Sequence, residues 1–166
     1  IIAVFISGLM VGRTPEFMGH KVEAREVKIA ALVTLLSAFL IKGFTALAAY
    51  FVAHHPEISW QVKPGAWLNN PSYHGFSEML YEFTSSTANN GSGLEGLGDN
   101  NIFWNVSTGI VLILARFLPI IGPVAIVGLL ANKRFIPDSP GTLRTDSWTF
   151  GFMTFAVILV LTALSY

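Results

Sequence analysis

The chain has 166 residues, 52% of them hydrophobic and 12% charged, with a formal net charge of zero. Soluble domains carry about 25% charged residues, so the deficit points to a membrane protein before any motif is read. The neutral balance gives no reason to expect a nucleic-acid or acidic partner. The absence of cysteine excludes disulfides, thiol catalysis and zinc–thiolate sites.

In chain order, residues 1–11 are apolar with no basic flank, which reads as the end of a transmembrane helix rather than a signal peptide. The last residues, up to Tyr166, are also apolar, and the expectation is a fragment cut inside membrane segments at both ends. Residues 12–28 form a loop of mixed charge: Arg13, Glu16, Lys21, Glu23, Arg25, Glu26 and Lys28. Residues 29–52 supply about 24 nearly uncharged positions, enough for a helix that spans the hydrocarbon core. Lys42 is their one charge and can snorkel to the interface.

The long stretch 53–101 contains a short apolar stripe at 75–84, where Phe76, Met79, Leu80 and Phe83 fall at helical spacing. A small, polar, uncharged loop follows at 84–93, beginning TSSTANNGS. Residues 102–131 make a second span, with Arg116 its one charge and Pro119 and Pro123 inside it favouring a bend. Residues 132–147 form a second basic loop carrying Lys133, Arg134 and Arg144, and 148–166 begin a final helix. The excess of Lys and Arg places both loops, 12–28 and 132–147, in the cytoplasm, with 53–101 outside. Trp60, Trp67 and Trp104 then fit the outer interface and Trp148 the inner one.

Helix, long outer segment, half-helix, polar loop, helix is the order of a pore-loop repeat. The predicted fold class is an all-α integral membrane protein with a re-entrant half-helix. Non-helical backbone lies at membrane depth only where protein or water covers it. A pore supplies both, and potassium filters replace the ion's hydration shell with backbone carbonyls. The C-terminal end of a short helix also carries partial negative charge, which favours a cation. The competing reading of 75–93 is an exposed surface helix and turn.

Five stretches carry a resemblance: FISGLMVGRTPEFMGHKVEAREVK at 5–28, HGFSEMLYEFTSSTANNGSG at 74–93, FWN at 103–105, ARFLPIIGPVAI at 115–126 and SPGTLRTD at 139–146. In these the chain resembles the potassium-binding, channel-like subunit of the bacterial Kdp potassium-transporting ATPase, over roughly its last third. The resemblance implies four pore-loop repeats around one filter, with this chain supplying the end of the third, the whole fourth and the final helix. It implies potassium coordination by the backbone of Thr87, Ala88, Asn89, Asn90 and Gly91, with Gly91 at the position of the fourth filter glycine. Gly93-Leu94-Glu95 departs from the pattern at the filter's outer edge. The resemblance further implies no catalysis and no cofactor in this chain. ATP and magnesium would act on a separate P-type ATPase subunit, small accessory subunits would complete the complex, and the site would be the bacterial inner membrane.

Other motifs weigh less. Gly91-Ser92-Gly93-Leu94-Glu95-Gly96 matches GxGxxG but lacks the strand and βαβ unit that a nucleotide site needs. Two glycosylation sequons, at Asn90 and Asn105, fall in the filter loop and in a helix. His54 and His55 offer too few ligands for a metal. An arginine at membrane depth costs about 3 kcal/mol and faces a cavity or a partner, which places Arg116 on the ion path; a purely structural pairing is the alternative. Arg13, Glu16 and Arg25 are candidate contacts for the ATPase subunit, against a solvated connector. Two other functions fit the same elements: a passive or symport potassium channel component, and a membrane scaffold without an ion site.

Overall fold

The computed structural model describes residues 1–11, 15–56, 63–70, 72–137 and 146–165. In chain order the elements are α1 (Ile2–Val11), β1 (Glu16–Phe17), β2 (His20–Lys21), α2 (Ala24–His54), a 3-10 turn (Pro64–Ala66), α3 (Tyr73–Thr87), α4 (Ile102–Ala131) and α5 (Trp148–Ser165). They form two compact units, Ile1–Leu35 with Pro119–Tyr166, and Leu36–Leu118.

α2 and α4 are 31 and 30 residues long, and both are apolar enough to cross a bilayer. Only 11% and 17% of their most apolar windows are buried within the fold. A core helix of a soluble domain would be mostly covered. Here Leu32, Phe39, Ile113, Val124 and Val127 are exposed, so lipid or other helices must cover them. α4 stays one helix through Pro119 and Pro123.

Several boundaries differ from the sequence expectation. α2 begins at Ala24 rather than at 29, because Glu26 Oε2 accepts the Glu23 main-chain N–H at 2.7 Å. That bond is half of a capping box and starts the helix one turn before its apolar run. α3 is longer than 75–84 and runs to Thr87, taking in the first residues of the predicted loop. α4 starts where expected because Asn101 Oδ1 accepts the Trp104 N–H at 3.2 Å, an N-cap bond.

Within Leu36–Leu118 the core is aromatic. Trp67 stacks on Phe103, with ring centroids 4.7 Å apart. Trp104 meets Trp67 edge-on and packs against Phe83. Leu40, Ala48, Met79, Val111 and Ala115 complete the cluster. Trp67 and Trp104 are core residues of this unit, being 0% and 1% exposed. Trp148 is 96% exposed, and Trp60 lies outside the described residues.

In the other unit the loop between α1 and α2 carries an element that was not expected, a two-stranded hairpin pairing Glu16 with Lys21 and Phe17 with His20. Its central residues, Met18 and Gly19, both have positive φ, 52° and 72°. Two-residue hairpins need that backbone because its twist matches the strands. The sequence lacks the usual Asn-Gly signal for such a turn. Ile136 N–H donates to Gly19 O at 2.7 Å, fastening the hairpin to the segment after α4.

Candidate functional site

The candidate site begins where α3 ends. Ala88 caps the helix in right-handed conformation, and Asn89 follows with φ 61°. The Asn89 N–H donates to Ser86 O at 3.1 Å and the Asn90 N–H to Ser85 O at 3.0 Å. This is a Schellman closure with asparagine in the left-handed position. Asparagine occupies that conformation more readily than most residues because its short polar side chain bonds locally. The local bond is present: Asn89 Nδ2 donates to Thr87 O at 3.3 Å.

Two residues on, Gly91 has φ 73°, and a Cβ placed there would meet nothing within 4 Å. Glycine is favoured at this point by the backbone, not by crowding within this chain. Ser92 then ties the loop back to α3. Its N–H donates to Ser85 Oγ at 2.9 Å, and its hydroxyl lies 3.0 Å from Ser85 Oγ and 3.2 Å from the Tyr81 hydroxyl.

The polarity of this arrangement is its main feature. The amides of Ala88, Asn89, Asn90 and Ser92 all donate into α3. Among the described residues, no donor reaches the carbonyls of Ala88, Asn89, Asn90 or Gly91. A run of unsatisfied carbonyls beside a helix C-terminus is a cation-binding chemistry. Thr87 is buried, and its hydroxyl has no partner among the described residues.

Arg116 reaches this loop. Its Nε–H donates to Asn89 Oδ1 at 3.0 Å, from a position 27 residues later in the chain. Beyond the loop, Glu78 is fully buried on α3, and its Oε1 accepts the Asn70 main-chain N–H at 3.2 Å and the Asn70 side-chain amide. That amide also donates to Glu95 O at 3.2 Å, and Gly98 N–H donates to Trp67 O at 2.7 Å. The segment after the loop is thereby stitched to the one before α3. A Cβ on Gly93 would lie 3.1 Å from Glu82 Oε2 and 3.9 Å from Asp99 Oδ2, so two carboxylates flank the loop's far limb. Like-signed carboxylates of this kind raise local cation concentration.

The candidate partner contacts sit in the other unit. Glu16 is on β1 and Arg25 is exposed in the first turn of α2; Arg13 lies outside the described residues. Sequence reasoning missed the group that organises this region. Lys133 Nζ is 2.9 Å from Glu26 Oε1, 3.2 Å from Glu23 Oε2 and 3.0 Å from Lys21 O. All three ammonium protons are accounted for. Desolvation opposes the charge, but the bonds to Glu26 and Glu23 outweigh it and raise the Lys133 pKa. Among the described residues no cluster of three metal-ligating side chains is present.

The model of a family described as "Potassium-transporting ATPase A subunit" matches residues 1–166. The chain is 66% identical, along its whole length, to the potassium-transporting ATPase potassium-binding subunit of Flavobacterium johnsoniae. It is 68% identical to the protein of the same name from Phocaeicola vulgatus, and 45% to that from Geobacillus kaustophilus. The chain spans 29% of the length of the first two relatives and 28% of the third. With the match unbroken from end to end and the long apolar helices in place, this chain belongs to the family of potassium-transporting ATPase A subunits.

Proposed function

We propose that this chain supplies one wall of a potassium filter within an ATP-driven potassium uptake complex of the bacterial inner membrane. The backbone carbonyls from Thr87 to Gly91 are the ion ligands. The observation that carries this reading is the one-sided hydrogen bonding of the loop. The amides of Ala88, Asn89, Asn90 and Ser92 are engaged by α3, while the carbonyls of Ala88, Asn89, Asn90 and Gly91 have no donor among the described residues. Potassium, as the transported substrate, replaces the missing donors. The names of the relatives, potassium-binding subunits of a potassium-transporting ATPase, support the choice of ion.

The chain contributes one loop to a site that surrounds the ion, so other parts of the longer subunit provide the remaining carbonyls. Arg116 belongs to the same ion path, at the base of the loop. Hydrolysis of ATP with magnesium falls to a separate P-type subunit, small accessory subunits complete the complex, and this chain is not catalytic. Arg13, Glu16 and Arg25 contribute to docking that partner.

The test is Gly91→Asp in the full-length protein within its complex, with ATPase activity titrated against potassium and rubidium. An aspartate side chain at this point adds a negative charge beside the carbonyls and alters their field, so apparent potassium affinity should fall about tenfold, or the potassium–rubidium preference should narrow. Unchanged apparent affinities for both ions remove Gly91 from the filter.

A further inference from the structure

The loop is held to the rest of Leu36–Leu118 at two places. One is the Ser85, Tyr81 and Ser92 group on its far limb. The other is Asn89, the residue on which the chain turns out of α3. The two attachments differ in kind. Ser85 and Tyr81 belong to α3 itself, so the first keeps the loop against its own helix. The second crosses to α4, because Arg116 Nε–H donates to Asn89 Oδ1 at 3.0 Å.

The Asn89 amide is used at both ends. Its oxygen accepts from Arg116, and its nitrogen donates to the Thr87 carbonyl at 3.3 Å. A hydrogen bond from a charged donor polarises the amide it meets and strengthens that amide's own donation. The guanidinium therefore acts on the Thr87 carbonyl through Asn89. It draws electron density away from a candidate ion ligand, and it holds the φ 61° turn that orients the next carbonyls. The guanidinium is also a fixed cation near a helix C-terminus, where positive charge is favourable.

We infer that Arg116 is a positioning residue for the filter, setting potassium selectivity through the Asn89 side chain rather than acting only as a free positive charge beside the ion path. The inference rests on the filter reading proposed for Thr87 to Gly91. Potassium discrimination depends on the number and field of coordinating carbonyls. Removing the relay frees the Thr87 carbonyl from its donor and loosens the turn, and both changes alter that field.

The side-chain relay can be cut without adding steric strain to the turn. Asn89→Gly allows φ 61° at no steric cost and removes the amide. Arg116→Ala removes the other partner. Each variant, and the double, is built into the full-length protein, which is then purified as the intact complex. ATPase activity is titrated with potassium and rubidium, and recovery of the complex is measured alongside. Each single variant should narrow the potassium–rubidium ratio by about fivefold, and the double should do no more than the larger single, since coupled groups are not additive. Normal selectivity in Asn89→Gly, or effects that multiply in the double, overturns the inference. If Arg116→Ala fails to assemble, Asn89→Gly alone decides the matter. The filter reading fails separately: Gly91→Asp then leaves both ion affinities unchanged. A shift with Gly91→Asp but none with Asn89→Gly sinks only the role of Arg116.

Discussion

The two units of this chain are held together by different physics. Leu36–Leu118 rests on packed rings, Trp67 on Phe103 and Trp104 on Phe83, and on hydrogen bonds that engage the amides after the α3 terminus. Ile1–Leu35 with Pro119–Tyr166 has no comparable aromatic cluster among the described residues. Its polar connections instead converge on one ammonium, that of Lys133. Ring packing is spread over many contacts and tolerates the loss of any one of them. A three-way ion cluster fails as a unit when its centre is removed. The candidate ion loop is thus carried by the distributed support, and the charged loops by the concentrated one.

The sharpest way to break this contrast is Lys133→Met. Glu26 is 1% exposed and would keep its charge without its cation. Stranding a buried partner costs about 3 kcal/mol or more. Thermal unfolding of the detergent-purified protein should shift down by several degrees, while the potassium–rubidium ratio of whatever complex forms stays at the wild-type value. Combining the change with Glu26→Gln, which keeps an acceptor for the Glu23 N–H, should restore much of the loss. If Lys133→Met melts like the wild type, the cluster is not what holds this region.

A second, smaller test addresses packing in the same unit. A Cβ on Gly122 would overlap Val33 Cγ2 and touch Ile29 Cγ2 at 3.7 Å. Small residues let membrane helices approach closely. Val33 is β-branched and cannot rotate freely away within a helix. Gly122→Ala should therefore destabilise by about 1–2 kcal/mol through overpacking, and Val33→Ala should relieve it. Equal melting of the glycine and alanine forms would show that the helices separate without penalty.

The sequence made the long helices readable and left the polar links unread, for a physical reason. A span is a statement about composition over about 20 residues, and α2 and α4 each contain such a window. The polar segment after α3 was legible too, as a run of small uncharged residues between a short helix and a span. Its inner boundary was not. Thr84 to Thr87 are poor helix formers by propensity, yet tertiary burial of Ser85, Ser86 and Thr87 keeps them helical. The pairings of Arg116 with Asn89 and Lys133 with Glu26 leave no local pattern, because each joins residues far apart in sequence. Arg116 could be singled out as costly in a membrane, but not matched to an acceptor. Lys133 counted only as one more positive charge in a loop, and the Met18-Gly19 turn carried no hairpin signature. Trp67 and Trp104 were read by residue type alone, which says nothing of the rings they pack against.

The smallest expected effect concerns the charges at the start of α2. The first turn of a helix favours acids, and a cation there costs about 0.3–1 kcal/mol. Glu26 fits that preference and Arg25 opposes it. Arg25 is exposed and forms no ion pair among the described residues. A charge kept at the unfavourable end of a helix, facing outwards, suits a partner better than it suits the fold. Reversing it with Arg25→Glu should leave stability unchanged or slightly raised, because the new charge suits the helix end. Pairing this change with Arg13→Glu should weaken recovery of the ATPase partner by about threefold at low salt, and the difference should shrink at high salt as screening removes it. Insertion and orientation should hold, since Lys21, Lys28 and the second basic loop still carry positive charge. Partner recovery, measured beside stability, separates the two explanations. A solvated connector predicts equal recovery of the partner at both salt concentrations together with the same small gain in stability. A docking surface predicts that the gain in stability comes with a salt-dependent loss of partner.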